Sequence, residues 1–349
     1  MSITKKVFGT DKKSKKAIYE YHIRNKNGMC AKILNYGGII RELWVPDKDG
    51  KRADVVLGHD DLMPYYENPG YLGAAVGPNA NRIGGAKFMI DGVEYRIPAN
   101  ENGNNLHSDN EDGYHVRVFD VEEGENNIKL YLKDEDGNMG FPGNKKLEIT
   151  YTVTEENELR LDYHFTSDRR TLLNPTNHSY FNLRGQDDNS IEDHVLWLKA
   201  SAYTPVAAGS IPTGEVAPVE GTPMDFTEPK RIGAEIGADF EQLRLGGGYD
   251  HNWVLDDTDG QLRLVAKVAA PGTSRVMKVF TTLPGLQFYA GNFIGKQDGK
   301  AGAAYHNRCG LALETQFFPD SIHKENFPDA VFGPDRQYRS TTVYQFCNE

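Results

Sequence analysis

Apolar and polar residues alternate along much of the chain, and helical periodicity is scarce. Successive side chains of a β-strand point to opposite faces, so this alternation predicts strands that are buried on one face. The clearest examples are residues 17–23, 128–133, 146–153, 159–165, 262–268 and 276–282. We predict a strand in each of these segments.

Turn residues separate the strands at short intervals. Asp91-Gly92 lies between two apolar segments, residues 88–90 and 93–97, and predicts a hairpin because a type I′ turn needs positive φ at both central residues. Residues 60–66 and 230–236 are predicted to be short helices, too short to organise a fold. Many strands with frequent turns indicate an all-β protein, a large antiparallel β-sandwich. We see no linker composition and expect residues 1–349 to form one domain.

Charge and composition exclude several classes of partner. The net charge of −11 argues against nucleic acid and anionic membranes, which need a basic surface. No apolar run approaches the ~20 residues that cross a bilayer. The lysine-rich N-terminus has no signal-peptide pattern, and whether a leader was trimmed before Met1 stays open. The cysteines, Cys30, Cys309 and Cys347, are scattered and odd in number, so a reducing, cytoplasmic location is expected. The histidines lack metal-ligand spacing, and we expect no metal or cofactor.

Two loop segments carry candidate chemistry in the first third of the chain. Asn81 and Arg82 stand in GPNANRIGG, where glycines allow close approach of a ligand and arginine offers a fork of donors to hydroxyl oxygens. The alternative is a surface arginine paired with a carboxylate. His107 lies near the end of the polar segment NGNNLHS, and a lone loop histidine often has no chemical role.

Three further residues stand out later in the chain. His178 lies in NPTNHSYFNL among donors and acceptors that could fix its tautomer; the same segment matches an N-glycosylation acceptor, which would require a secretory route. Asp250 follows a glycine run in GGGYDHNW. Glu314 lies in the apolar segment LALETQFFPD, where burial would raise its pKa and make it a general base. The alternative is that strand alternation turns Glu314 to solvent.

Taken together, the segments resemble the aldose 1-epimerase (galactose mutarotase) family along essentially the whole chain. The ordered motifs are GPNANRI, NNLH, MGFPGN, NPTNHSYFNL, IPTGE, YDHNW, PGLQFYAGN and LETQFFPD. The resemblance implies a large antiparallel β-sandwich, no cofactor, and interconversion of the α and β anomers of free aldohexoses such as galactose or glucose. It also implies a monosaccharide as the partner, with the protein a monomer or homodimer.

The resemblance also implies roles for individual residues. Glu314 matches the catalytic base and His178 the catalytic acid, and the residues that match sugar-binding positions are Asn81, Arg82, His107, Asp250 and Gln287. Two positions depart from the family pattern, Ser108 where glycine is common and Phe317 where a polar residue is common. They bear on which sugar is preferred.

Three other functions stay open at the level of sequence. A glycoside hydrolase would need two carboxylates about 5–10 Å apart across the scissile bond, for which Glu314 and Asp250 are the obvious pair. A sugar-binding β-sandwich without turnover would keep the pocket alone. An epimerase of hexose 6-phosphates would want basic residues beyond Arg82.

Overall fold

The computed structural model describes residues 2–349 and consists mainly of β-strands. The strands are β1 (Ser2–Thr10), β2 (Ala17–Arg24), β3 (Cys30–Leu34), β4 (Ile40–Pro46), β5 (Arg52–Asp54), β6 (Ala75–Val76), β7 (Arg82–Ile83), β8 (Lys87–Ile90), β9 (Val93–Arg96), β10 (Asn105–Leu106), β11 (Asp120–Glu123), β12 (Asn127–Asp134), β13 (Lys145–Val153), β14 (Glu158–Ser167), β15 (Thr171–Leu172), β16 (Thr176–Asn177), β17 (Tyr180–Phe181), β18 (Val195–Leu198), β19 (Ala202–Thr204), β20 (Ala217–Pro218), β21 (Lys230–Arg231), β22 (Asp250–Val254), β23 (Arg263–Ala269), β24 (Arg275–Thr281), β25 (Gly285–Tyr289), β26 (Gln297–Asp298), β27 (Ala304–Tyr305), β28 (Leu311–Gln316), β29 (Val331–Phe332) and β30 (Tyr338–Asn348). The helical elements are α1 (Glu241–Gly246) and 3₁₀ turns at Met63–Tyr66, Gly84–Ala86, Tyr114–Val116, Asn138–Gly140, Ile232–Ala234, Lys300–Gly302 and Ser321–His323.

Three large antiparallel sheets form a β-sandwich, as predicted. One has five strands in the order β1-β2-β3-β4-β5, and one has nine in the order β11-β12-β13-β14-β30-β24-β23-β18-β21. The third has six strands in the order β17-β28-β25-β22-β19-β20. The remaining short strands pair into two-stranded ribbons, which are β6-β16, β7-β10, β8-β9, β15-β29 and β26-β27.

The six predicted strands are confirmed as β2, β12, β13, β14, β23 and β24. In β13 and β14 buried and partly exposed residues alternate along the strand, which is the pattern that predicted them. The Asp91-Gly92 hairpin is confirmed as well, with φ of 52° and 77° at the two turn residues between β8 and β9. The two predicted helices were wrong in type: the first is a 3₁₀ turn, and the second begins as β21 and continues as a 3₁₀ turn.

One continuous hydrophobic core joins the three large sheets. It includes Ile33 of β3, Leu161 of β14 and Phe288 of β25, all fully buried. Burial of one such side chain stabilises the fold by roughly 1.5–3 kcal/mol. Every residue of β28 is buried, so both faces of the six-stranded sheet are covered at this strand.

Among residues 2–349, no helix has the length and apolar character needed to cross a membrane.

Candidate active site

Three neighbouring strands of the six-stranded sheet place the polar residues on one face. Asp250 begins β22, Gln287 lies in β25, and Glu314 lies in β28 directly opposite Gln287. The period of two turns Thr315 to the other face, where its hydroxyl bonds to that of Thr342 in β30 at 2.6 Å. One face of β28 therefore packs on the nine-stranded sheet while the other presents Glu314 to a cavity.

A two-stranded ribbon brings the loop residues to the same cavity. β7 pairs with β10, so Arg82 lies opposite Leu106, and His107 follows directly. The backbone N–H of Asn81 donates to Nδ1 of His107 at 3.1 Å, and the backbone N–H of His107 donates to the backbone carbonyl of Asn81 at 3.0 Å. Because Nδ1 accepts a hydrogen bond, the neutral imidazole of His107 carries its proton on Nε2, as a donor.

His178 lies between β16 and β17 and faces Glu314. Its amide donates to the Ala74 carbonyl at 2.8 Å, and its carbonyl accepts from the Gly73 amide at 3.0 Å. Nε2 of His178 is 3.5 Å from Oε1 of Glu314, and both side chains are almost fully buried. Among residues 2–349, neither Nδ1 of His178 nor Oε2 of Glu314 has a hydrogen-bond partner. Buried polar atoms are usually paired, so these two atoms indicate a site adapted to a polar ligand.

Two further interactions hold the remaining polar groups in place. Nε and Nη2 of Arg82 donate to the two carboxylate oxygens of Glu101 at 2.6 and 2.8 Å, a bidentate geometry that fixes the plane of the guanidinium. Nε2 of Gln287 donates to Oδ1 of Asp250 at 2.7 Å. Arg82 is thus paired with a carboxylate, the alternative considered from sequence, and it still lines the cavity.

Burial raises the pKa of the carboxyl groups in the cavity and lowers the pKa of its histidines. Desolvation, with a smaller contribution from the nearby Asp250 carboxylate, raises the pKa of Glu314 well above its usual value. Desolvation lowers the pKa of His178 to about 4. It also lowers the pKa of His107 well below its usual value, with the neighbouring His178 and Arg82 acting in the same direction. Asp250 has a raised pKa through burial, which Arg82 and the Gln287 hydrogen bond partly offset.

The cavity has a volume of about 170 Å³ and collects most of the residues predicted from sequence. Those in its wall are Asn81, Arg82, His107, His178, Asp250 and Glu314. Gln287 is buried behind Asp250 and holds its carboxylate. Sequence reasoning missed Tyr71, Tyr180, Tyr289 and Phe293 in the wall, and Glu101 behind Arg82.

The donor set does not suit a metal ion. His107, His178 and Glu314 offer ligand atoms within 4.8 Å of one another. A metal needs the lone pair of an imidazole nitrogen, but Nδ1 of His107 already accepts a hydrogen bond and Nε2 carries the proton, so neither nitrogen of this ring has a free lone pair. The same arrangement suits a hydrogen-bond donor to a ligand oxygen.

These features define the class: a large antiparallel β-sandwich with a buried acid–base pocket for a small polar molecule. The sequence model of the family described as Aldose 1-epimerase matches residues 19–345. The chain is 38% identical to a galactose mutarotase of Mus musculus over 347 residues, 99% of each protein. It is 34% identical to an aldose 1-epimerase of Escherichia coli (strain K12) over 330 residues, 94% of each. A crystal structure of galactose 1-epimerase from Lactobacillus acidophilus NCFM superposes with a TM-score of 0.85 at 27% identity, covering 99% of both chains.

The chain belongs to the aldose 1-epimerase family. It is accordingly an isomerase that interconverts the α and β anomers of aldoses, and its substrate is a monosaccharide.

Proposed function

We propose that Glu314 and His178 carry the reaction as general base and general acid, acting on free aldohexoses such as galactose and glucose. The observation that supports these roles is the buried pair itself, with 3.5 Å between Nε2 of His178 and Oε1 of Glu314. Burial raises the pKa of Glu314 and lowers that of His178, which reduces the free energy needed for the carboxylate to gain a proton while the imidazolium loses one. Two titratable groups with environments of this kind are typical of acid–base catalysis.

The proton count of mutarotation balances with this pair alone. The Glu314 carboxylate takes the proton of the anomeric hydroxyl while the His178 imidazolium gives its proton to the ring oxygen. The bond between the ring oxygen and the anomeric carbon breaks, and the anomeric carbon becomes an aldehyde. After rotation of that carbon, closure on its other face returns both protons. Each well-placed proton-transfer group contributes about 10²–10⁴-fold to the rate.

The buried setting favours the state that follows ring opening. Once both protons have moved, Glu314 is a neutral carboxylic acid and His178 a neutral imidazole. Desolvation penalises charged groups, so the cavity stabilises this neutral pair relative to the charged one. The pocket therefore lowers the free energy of the open-chain intermediate relative to the closed sugar bound beside the charged pair.

The other polar groups would hold the sugar while its anomeric end turns over. Nε2–H of His107 would donate to the ring oxygen as charge develops there. Arg82, Asn81 and Asp250 would bind the remaining hydroxyls, with Gln287 holding Asp250 in position.

The charge of the pocket favours free sugars over phosphorylated ones. Among the described residues of the cavity wall, Arg82 is the one permanent cation, and its guanidinium is already engaged by Glu101. Asp250 and Glu314 add carboxyl groups to the wall and no further cation. A phosphate group would therefore find no unpaired cation there to offset its charge.

We further propose that the protein is one domain spanning residues 1–349, acts in the cytoplasm, and is a monomer or a homodimer. Cys30, Cys309 and Cys347 are all free thiols, which supports a reducing compartment.

Polarimetry of freshly dissolved α-galactose tests the assignment. The wild type should accelerate the decay of optical rotation, and Glu314→Gln should remove most of that acceleration. Binding of galactose without acceleration would favour a sugar-binding protein, and release of reducing sugar from a glycoside would favour a hydrolase. Either outcome would overturn the proposal.

A further inference from the structure

Tyr71 holds an unusual backbone conformation at the edge of the cavity. Its φ is 55°, in the left-handed region, where a bulky side chain is strained. Such a conformation is unfavourable for a bulky residue and persists only where the surroundings fix it. The side chain is 8% exposed and lines the cavity. The strain therefore places a buried ring at a definite position beside the acid–base groups.

The ring of Tyr71 packs against both histidines of the cavity. Its centroid is 4.5 Å from that of His107 and 6.0 Å from that of His178, to which it is nearly parallel. The two imidazoles are themselves 5.5 Å apart and nearly perpendicular. A third histidine, His115, packs edge-on against the tyrosine with 4.7 Å between the ring centroids. These distances are those of direct ring contact.

Tyr71 also joins the two loops that carry the histidines. Its hydroxyl donates to Oδ1 of Asn110 at 3.0 Å, three residues beyond His107. On the other side, the backbone of the Tyr71 loop is bonded to His178 through Gly73 and Ala74. A movement of Tyr71 would therefore disturb the positions of both imidazoles.

We propose that Tyr71 is a positioning residue, which sets the spacing and relative orientation of His107 and His178 and shields them from water. This inference rests on the proposed function, in which His178 protonates the ring oxygen and His107 donates a hydrogen bond to it. Tyr71 itself takes no proton. It keeps the imidazole of His178 next to the Glu314 carboxyl group and keeps Nε2–H of His107 at a fixed angle to His178.

Loss of the ring should be visible in the titration of His178. The ionisable groups around this imidazole are Glu314, His107, His115, Tyr71, Tyr180 and Tyr289. Since desolvation is the main cause of its lowered pKa, water in place of the tyrosine ring would stabilise the imidazolium and raise that pKa toward 6.5.

The experiment compares Tyr71→Phe, Tyr71→Ala and Tyr71→Gly with the wild type by polarimetry and by NMR titration of the histidine ring protons. We expect Tyr71→Ala and Tyr71→Gly to lower kcat by about 10²-fold, the low end of the range for a proton-transfer group, with a much smaller change in KM. Tyr71→Phe keeps the ring and should retain kcat to within about tenfold of wild type and retain the low His178 pKa. Glycine adopts positive φ without strain, so Tyr71→Gly provides a folded variant if Tyr71→Ala does not fold.

Tyr305→Ala is the matched control. Tyr305 is a buried tyrosine whose ring lies 6.5 Å from that of His59, outside the cavity, so its removal should lower stability and leave the His178 pKa in place. The inference is overturned if folded Tyr71→Gly keeps the wild-type kcat, or if the His178 pKa moves equally in Tyr305→Ala. Failure of the wild type itself to mutarotate would instead refute the proposed function.

Discussion

Replacement of Glu314 by glutamine separates the chemistry of the site from its packing. Glutamine has nearly the same shape and can accept a hydrogen bond through its amide oxygen, but it cannot take a proton. Glu314 is 2% exposed and lies in the middle of β28, so the variant should keep the backbone and the cavity.

The expected loss of rate follows from the role of the residue. A general base contributes about 10²–10⁴-fold, so kcat should fall by that factor, equivalent to about 2.7–5.4 kcal/mol in the activation free energy. KM should change much less, because Arg82 and Asp250 still bind the hydroxyls in this proposal. The loss is one of turnover rather than of affinity.

The same substitution should stabilise the fold, and more so at higher pH. The pKa of Glu314 is raised in the folded state, so the folded protein binds its proton more tightly than the unfolded chain does. Its contribution to stability is complete below the unfolded value of 4.5 and is lost as pH rises toward the folded value. The loss amounts to at most about 1.4 kcal/mol per pH unit. Glutamine does not titrate and avoids this loss.

Two measurements check the reasoning. Polarimetry gives kcat and KM for wild type and Glu314→Gln, and urea unfolding at several pH values from 4.5 upward gives the difference in free energy of unfolding. A variant with wild-type kcat would show that Glu314 is not the base. A stability difference that stays constant across this pH range would show that burial does not raise the pKa of Glu314.

Four other outcomes are expected. His178→Asn should lower kcat by about 10²–10⁴-fold in the polarimetric assay, with the circular dichroism spectrum unchanged. The wild-type profile of kcat/KM against pH should be bell-shaped. Burial lowers the pKa of His178 to about 4, so the acidic limb should lie below the ordinary histidine pKa. Burial raises the pKa of Glu314, so the alkaline limb should lie above the ordinary carboxyl pKa. Glu101→Gln should leave Arg82 without its ionic partner and raise KM by about three- to tenfold, a cost of roughly 0.7–1.4 kcal/mol, and an unchanged KM would show that the pair does not orient the arginine. Asp250→Asn should raise KM for galactose by more than tenfold, measured in the same assay, because an amide replaces one of the two carboxyl oxygens of this buried acceptor with a donor.

The parts of the fold that alternate in hydrophobicity were predictable from sequence. β13 and β14 are buried on one face and partly exposed on the other, and their pattern predicts them almost to the residue. In β28 the direction of the Glu314 side chain was ambiguous, because both faces of the strand are covered and its apolar residues do not alternate with polar ones. α1 was missed because six residues hold too little periodic signal.

The predicted site residues depended on motifs, whereas the missed ones are recognisable only in three dimensions. Asn81 and His107 exchange backbone and side-chain hydrogen bonds across 26 positions, and each motif alone gave a weak signal. Tyr71 stands in an ordinary PGYLG turn, and its positive φ and its contacts with two histidines have no signature in the sequence. Glu101 likewise looks like any loop carboxylate until Arg82 is placed beside it.

The wall of the cavity is built from two kinds of structure, with different freedom to change. Asp250 and Glu314 come from strands whose register is fixed by backbone hydrogen bonds, at the usual strand spacing of about 4.8 Å. Arg82, His107 and the 69% exposed Phe293 come from loops or short ribbons at the rim. Insertions or substitutions in the rim can therefore alter which sugar is accepted while the two carboxylates keep their separation. Laboratory selection for new sugars would be best directed at the loops, with the six-stranded sheet left intact.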